Sequence, residues 1–254
     1  MNPLKWRVQA SFEISLLIKD ILILYAIQQF FSVGTVNVRT MAGLCVYRVT
    51  KLEDLVNVII PHFMLYSLCT CKQADFILWQ IVVNMMTKGL HLTADGFNTI
   101  LTYYASINKG MSQTLLIYFP NIVPVLRPAI ILPTVLNPFW VSGFAAGDGN
   151  FSVGIWPTGQ IYFNFNIAQH IRDILLMNLI ISFFNCGNVY ARINNNRADF
   201  IVQNFDNIFD IVIPHFINYP LFNIKTLDFN DFKTAAILFK EGGRTNRKHS
   251  KTCF

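Results

Sequence analysis

Asp148 is the residue whose position most suggests a chemical role, because it ends a short run of small and apolar residues. The run, at 137–152, reads NPFWVSGFAAGDGNFS and occurs once in the chain. Its central part, from Trp140 to Asp148, predicts one helix. Gly143 and Gly147 lie four residues apart, which predicts a helix face where another backbone comes close. An Asp-Gly pair alone is typical of an ordinary turn, so a function for this acid needs support from the rest of the chain.

Lys72 and Lys225 give a second indication of a site, because they occupy equal positions in two copies of a repeat. The copies are 153 residues apart (225 − 72 = 153), and 22 of the 65 positions at 12–76 are identical in the second copy. A single lysine is usually a solvated surface charge, but retention in both copies favours a role in a site. Subtracting 153 from 148 gives −5, so we expect the first copy to lack the counterpart of the Asp148 segment.

The two copies predict the same order of strands and helices. Residues 6–16 alternate between polar and apolar types, as do residues 160–167, and this period of two indicates half-buried strands. A helix is predicted to begin at Asp20 and run to about Phe31 in one copy, and to begin at Asp173 and run to about Phe184 in the other. Gly34 and Gly187 are predicted to terminate these helices. A hairpin and a second helix follow, at 35–39, 44–50 and 52–63 in the first copy and at 188–193, 198–203 and 207–216 in the second.

The predicted fold class is α+β, with two pseudo-twofold-related αββαββα-type halves that each form an antiparallel sheet covered by helices on one face. The first half, 1–117, lacks its first helix and continues after Lys72 as a helix through Met86. It also carries an extra helix that Thr93 caps and that ends near Gly110. A proline-rich linker at 118–136 leads to the second half, 137–240, and to a basic tail at 241–254. We expect a monomer with internal symmetry.

The polar face of each predicted sheet is a candidate surface for nucleic acid. Strands can read base edges in the major groove of duplex DNA, and the net charge of +6 with a pI near 9.1 favours a polyanionic partner. Any half-buried strand shows such alternation, but two related sheets on one chain make a longer platform. The candidate DNA contacts are Arg7, Gln9, Ser11, Glu13, Ser15, Arg39, Arg48, Gln160, Tyr162, Asn164, Asn166, Tyr190 and Arg192.

Composition argues against a membrane protein and against a disulfide or zinc framework. Hydrophobic residues make up 53% of the chain and the mean hydropathy is +0.42. However, the longest apolar stretch, 115–146, contains five prolines and Arg127, which suits a spanning helix poorly. The five cysteines form no C-x-x-C pair and no zinc spacing. We therefore expect reduced thiols and no membrane span.

The segment WVSGFAAGDGNF looks like the LAGLIDADG motif, and the chain from Lys5 to Lys240 resembles single-chain LAGLIDADG homing endonucleases of mitochondrial introns. The resemblance includes the strand-to-helix segments at 12–20 and 165–173, the lysine segments of both copies, and the linker sequence VPVLRP at 123–128. It implies an intron-encoded, mitochondrial DNA nuclease that straddles duplex DNA with a saddle of two sheets.

The resemblance also assigns roles to residues of this chain. In the family, each motif helix ends in an acid that binds Mg²⁺ together with nearby backbone carbonyls, and oxygen ligands suit this hard cation. The metal activates water and stabilises the leaving oxygen of a phosphodiester. Asp148 matches the acid, Gly147 the carbonyl, Lys72 and Lys225 the basic residues near the scissile phosphates, and Gln169 a polar residue at the floor of the site.

The chain departs from the family pattern because one of the two motif helices, with its acid, has no counterpart here. The first copy also has Leu16 where the second has Gln169. We therefore expect either that these 254 residues alone cleave double-stranded DNA poorly, or that residues upstream of Met1 normally supply the missing helix. The alternative is an RNA-binding protein, either an intron maturase or a structural subunit of a ribonucleoprotein. The basic tail, with its cations at 244–251, is the feature that suggests this alternative.

Overall fold

The computed structural model describes residues 6–243, so the cations of the predicted basic tail lie outside the described residues. The chain divides into two compact units, Met1–Leu132 and Pro133–Phe254. The division falls inside the stretch predicted to be a linker. Each unit combines one antiparallel sheet with helices, which confirms the α+β fold class.

Unit 1 follows the predicted order of elements, including the helix predicted from Lys72 through Met86, and adds one short helix at Gln113–Tyr118. The first helix of unit 1 covers one face of the sheet, because apolar residues of this helix and of the strands belong to the same core. The elements are β1 (Phe12–Leu17), α1 (Ile21–Phe31), β2 (Thr35–Arg39), β3 (Leu44–Val49), α2 (Ile60–Leu65), α3 (Lys72–Thr87), α4 (Ala94–Tyr104) and α5 (Gln113–Tyr118). The strand order is β1-β3-β2, with Glu13 opposite Arg48. Thr93 caps α4, as predicted, by accepting a hydrogen bond from the Gly96 N–H.

Unit 2 repeats this plan and has one more strand at the edge of its sheet. Its elements are α6 (Pro138–Asp148), β4 (Gly149–Ile155), β5 (Ile161–His170), α7 (Ile174–Phe184), β6 (Asn188–Arg192), β7 (Arg197–Val202), α8 (Ile213–Asn218) and α9 (Lys225–Leu238). The strand order is β4-β5-β7-β6. Its core centres on the fully buried Phe165, whose ring contacts those of Phe151, Phe184, Phe200 and Phe216.

The prediction of a strand at 6–16 is wrong for its first half, since β1 begins only at Phe12. Unit 2 supplies the reason. Residues 161–164 of β5 pair with β4 alone, whereas residues 165–167 pair with both β4 and β7. The described part of unit 1 has no strand that corresponds to β4, so the equivalent residues lack a partner. Three candidate DNA contacts, Arg7, Gln9 and Ser11, therefore precede the strand on which they were placed.

The first helices end at the predicted positions, but the residues that end them are not the predicted glycines. The C-cap residues are Ser32 of α1 and Asn185 of α7, both in the left-handed conformation and two residues before those glycines. Gly34 is needed for a different reason. It has a φ of +78°, and a Cβ atom added to it would lie 2.7 Å from the carbonyl oxygen of Arg48. Gly187 is similarly crowded against the Phe200 ring, so both glycines allow the helix to pass close to the sheet.

The second predicted helix of each copy contains a π-helical turn that the sequence reading did not foresee. It covers Leu55–Ile59 in unit 1 and Ile208–Val212 in unit 2, directly before α2 and α8. Pro61 and Pro214 lie two residues after the last residue of each turn. Proline lacks an N–H group and its ring crowds the preceding turn, so a wider turn at this point accommodates it in both copies.

The stretch between α5 and α6 has no regular structure, as its prolines predict, but part of it is fixed to unit 1. The side chain of Gln73 donates to the Ile131 carbonyl at 3.0 Å and accepts from the Ile131 N–H at 2.6 Å. The Arg127 guanidinium binds the Asp75 carboxylate at 2.7 Å and the Ser106 carbonyl. This stretch is therefore part of the folded unit up to Ile131.

Among the described residues, no helix combines the length and the apolar character that crossing a bilayer requires.

Candidate active site at the end of helix α6

Residues at the start of helix α6 fix the position at which it begins. The Asn137 side chain caps it by accepting hydrogen bonds from the N–H groups of Phe139 and Trp140, and Pro138 occupies the first turn. Val141 and Ala145 are fully buried. The opposite face, which carries Gly143 and Gly147, is exposed. A Cβ atom added to either glycine would meet nothing within 4 Å in the described residues, so the predicted close backbone approach is not observed there.

A buried polar contact fixes α6 against α8. The Ser142 hydroxyl donates to the Tyr219 carbonyl at 2.7 Å and lies 3.2 Å from Nε2 of His215. Because a serine has a single hydroxyl proton, the histidine must donate from Nε2 to Oγ. Asn223 adds a third bond by donating to the Ala146 carbonyl at 2.7 Å. These contacts determine where the last turn of α6 lies.

Acidification should weaken this packing, because burial lowers the pKa of His215 from 6.5 to about 4. The unfolded chain binds the proton first, so the free energy of unfolding falls as the pH decreases from 6.5 to 4. We expect a loss of about 1.4 kcal/mol per pH unit, or about 3 kcal/mol over the window. Urea denaturation at pH 7.5 and pH 4.5 measures it.

The matched control for this pH dependence is the other copy. His62, the repeat counterpart of His215, is less buried, and its pKa is lowered by the same cause. His215→Gln should remove most of the dependence between pH 6.5 and 4, and His62→Gln should remove less. Equal pH dependence in the wild type and His215→Gln would contradict the assignment.

Asp148 ends α6 next to Gln169 of β5. Its Oδ2 accepts a hydrogen bond of 2.7 Å from Nε2 of Gln169, so the structure brings these two predicted site residues together. Although the residue as a whole is exposed, partial burial of its carboxyl group raises the pKa of Asp148. The Gln169 hydrogen bond and the Lys225 charge oppose that rise. The carboxylate is thus held in one orientation by a neutral donor.

Lys225 contacts the same helix end through backbone oxygens. Its Nζ donates to the carbonyls of Ala145 at 3.1 Å, Gly147 at 3.2 Å and Gly149 at 2.5 Å. The last carbonyls of a helix have no partner within the helix and carry partial negative charge. A cation is favoured at this position, so the structure brings Lys225 to the same helix end as Asp148.

Lys72 has different neighbours from its counterpart Lys225. Its Nζ donates to Oδ1 of Asn108 at 2.5 Å and lies 3.4 Å from the buried Asp75 carboxylate. Burial would raise the pKa of Asp75, but the Asn108 backbone N–H and the Arg127 guanidinium outweigh it and hold the pKa below its usual value. Equal sequence positions therefore do not give equal environments.

The atoms around Asp148 suit a hard divalent cation, although few of them come from protein side chains. No group of three His, Cys, Asp or Glu residues that could hold a metal occurs among residues 6–243. The available ligands are the Asp148 carboxylate and the Gly147 carbonyl, both oxygen donors of the kind that Mg²⁺ and Ca²⁺ prefer. Mg²⁺ commonly binds one or two carboxylates, and waters and substrate phosphates complete its coordination. The donor set fits such an ion.

The predicted DNA contacts that lie on strands are partly or fully exposed, but several of them already have partners within the protein. Arg48 pairs with Glu13 at 2.8 Å on the opposite strand. Asn164 donates to Asn166 at 3.0 Å, and the Tyr162 ring packs on Trp156. Gln160 precedes β5. The remaining candidates lie on strands and have exposed side chains: Ser15, Arg39, Tyr190 and Arg192. Of these four, Arg192 also forms an ion pair, with Asp199.

The sequence patterns did not predict several polar residues that contribute to the candidate site or to the exposed sheet faces. Asn108 and Asn223 lie in turns, where no pattern indicates a partner. Arg197 and Asp199 lie on β7, where they alternate with the buried Ala198 and Phe200. This alternation with apolar residues could have identified both as candidate DNA contacts, because the other candidates on strands were chosen by the same pattern.

The family model for LAGLIDADG endonucleases matches residues 1–83 and 141–236, which is more than half of the chain and includes both lysine segments and the Asp148 helix. The chain belongs to the LAGLIDADG endonuclease family. It is 37% identical over 257 residues to a probable intron-encoded endonuclease 2 of Neurospora crassa, a match that covers 96% of this chain and 55% of the relative. A probable intron-encoded endonuclease 3 of the same species is 35% identical, with 91% and 44% covered. The chain thus spans about half the length of the curated relatives it matches.

Solved structures of the family have the same fold. The LAGLIDADG homing endonuclease I-GzeII in complex with its DNA target has a TM-score of 0.90 and 32% identity, covering 97% of this chain and 86% of that protein. I-SmaMI bound to an uncleaved DNA target with calcium ions has a TM-score of 0.89 and 33% identity, covering 94% and 83%. The expected family membership and fold are confirmed.

Proposed function

We propose that this LAGLIDADG protein is a DNA endonuclease that hydrolyses phosphodiester bonds of a specific double-stranded target with Mg²⁺. The observation that carries the proposal is the arrangement at the end of α6. There, the Asp148 carboxylate is oriented by Gln169 at 2.7 Å, and the Lys225 ammonium lies on the adjacent carbonyls. A carboxylate and a cation beside an exposed helix end are the groups that binding a metal and a phosphate requires.

The proposed roles follow from the chemistry of each group. Asp148 and the Gly147 carbonyl would hold the metal, which would supply an activated water and positive charge beside the phosphate. Gln169 keeps the carboxylate in a productive orientation. Lys225 is proposed to exchange one of its three hydrogen bonds to backbone carbonyls for a phosphate oxygen or an ordered water when DNA is bound. Lys72 is proposed to bind such a group in unit 1. Asn108 holds the Lys72 ammonium in that position.

The exposed strand residues of both units form the proposed contacts with base edges and phosphates. The units differ in many of these residues, so the target is expected to be asymmetric. The described residues contain one acid of the Asp148 type, which we expect to serve one strand of the duplex. Nicking should therefore exceed double-strand cleavage. The monomeric state and a mitochondrial location are part of the same proposal, and a relative of Podospora anserina is described as a protein in an ND4 intron.

A plasmid library carrying random inserts tests the function. Incubation with the purified chain and Mg²⁺ should convert a minority of plasmids to the open-circular form, and sequencing of these should give one shared sequence. EDTA should abolish the conversion. If no plasmid is nicked and no duplex is retained by the protein, the proposal is wrong. Binding to structured RNA that excess duplex DNA does not compete would instead support the RNA-binding alternative.

A further inference from the structure

The exposed face of the unit 2 sheet carries an acid enclosed by two arginines. Asp199 is 1% exposed and lies on β7 between residues that point into the core. The Nε atom of Arg197 donates to its Oδ1 at 2.5 Å, and Nε of Arg192 lies 2.7 Å from its Oδ2. Arg192 and Arg197 are directly opposed in the β6–β7 pairing. One carboxylate therefore positions two neighbouring guanidinium groups.

The atoms used in these contacts leave the ends of both arginines available. Each arginine approaches Asp199 through Nε, while the side chains remain about half exposed, at 57% and 49%. Arg48 in unit 1 is arranged differently, since it meets Glu13 through Nε at 2.8 Å and Nη2 at 3.1 Å. A guanidinium held by Nε alone can present its two terminal nitrogens as a fork.

The other copy shows that this cluster is specific to unit 2. Arg39 is the repeat counterpart of Arg192, but the counterparts of Arg197 and Asp199 are Leu44 and Val46. Within residues 6–243, the structure shows no acidic partner for Arg39. A buried acid on a sheet face is costly unless it is paired, so the cluster is not a by-product of the repeated fold.

We propose that Asp199 is a positioning residue that presents Arg192 and Arg197 to two neighbouring guanines of the DNA target. An arginine fork matches the O6 and N7 acceptors of guanine in the major groove. The opposed strand positions lie about 5 Å apart, close to the rise of about 3.4 Å between base pairs. The inference rests on the proposed function and gives part of its sequence preference.

The strand register places the cluster of Asp199, Arg192 and Arg197 close to the candidate active site at Asp148. Arg197 also lies opposite His170 of β5, directly after Gln169, the residue that binds Asp148. The arginine pair is therefore at the end of the sheet nearest the proposed metal ligand. We expect the two guanines to lie among the base pairs closest to the cut in the half of the target that unit 2 binds.

The test is selection of a random duplex library by the full chain in Ca²⁺, followed by affinity measurements on single-base variants of the selected sequence. Wild type should require two neighbouring guanines, each worth about 10-fold to 100-fold in affinity over adenine. Asp199→Val and Arg197→Leu introduce the residues of unit 1 and should reduce this discrimination to less than about 3-fold. Asp210→Asn, which removes an exposed acid from an ion pair with Lys240, is the matched control and should leave it unchanged.

Thermal unfolding establishes whether each variant is folded. If Asp199→Val is not, Asp199→Asn keeps the size and one acceptor and should show an intermediate loss of discrimination. A selected target without these guanines, unchanged discrimination in the variants, or equal weakening on every sequence, as phosphate contacts would give, overturns the inference alone. Failure to select any duplex overturns the proposed function and the inference with it.

Discussion

Asp148→Asn is expected to reduce Mg²⁺-dependent nicking by at least about 1000-fold, which corresponds to about 4 kcal/mol of transition-state stabilisation. Asparagine keeps the shape of the side chain, and its amide can still pair with Gln169, which donates to the carboxylate at 2.7 Å. However, it removes the negative charge that would hold the metal. Single-turnover cleavage of a selected duplex measures the rate, and binding in Ca²⁺ measures affinity separately.

The control for this substitution is Asp231→Asn, which makes the same change at an exposed position of α9. It should cleave like the wild type. DNA binding by Asp148→Asn should stay within about 10-fold of wild type, because other residues supply most of the contacts. Undiminished nicking by Asp148→Asn would remove this carboxylate from the mechanism and leave the proposed function without its central observation.

Phe165→Ala is expected to have the largest effect on stability, a loss of about 3–5 kcal/mol in the free energy of unfolding. The ring is 0% exposed and lies among four other aromatic rings of unit 2. Removal of the Phe165 ring leaves a cavity, and the four neighbouring rings are too rigid to move into it. Urea denaturation gives the loss, and hydrogen exchange of the β5 and β7 amides shows that it arises in unit 2.

Substitutions of two other phenylalanines are the controls for this prediction. Phe222→Ala alters a ring that is 76% exposed and should change stability by less than about 0.5 kcal/mol. Phe12, the repeat counterpart of Phe165, is only partly buried, because the described part of unit 1 has no strand like β4 with a ring like Phe151. Phe12→Ala should therefore cost less than Phe165→Ala. Equal losses would show that the missing neighbour contributes nothing to the packing of the ring.

The repeat made much of the fold predictable. Alternation and capping residues located β3, β5, α1, α6 and α7 to within a few residues, because burial of one face and hydrogen bonding at helix ends depend on nearby residues. The same reasoning overextended β1, because a strand needs a neighbouring strand as well as an alternating sequence. It also assigned the termination of α1 and α7 to Gly34 and Gly187, whereas Ser32 and Asn185 are the C-cap residues and the glycines allow close contact with the sheet.

The candidate site divides in the same way. The sequence by itself determined that Asp148 ends a helix and that Lys72 and Lys225 are equivalent, since both statements concern order along the chain. Only the tertiary structure decided that Lys225 binds helix carbonyls while Lys72 binds Asn108. It also decided that Asp199 joins Arg192 and Arg197. Partners of a side chain depend on residues brought together from distant segments, and their distances follow from packing rather than from spacing in the sequence.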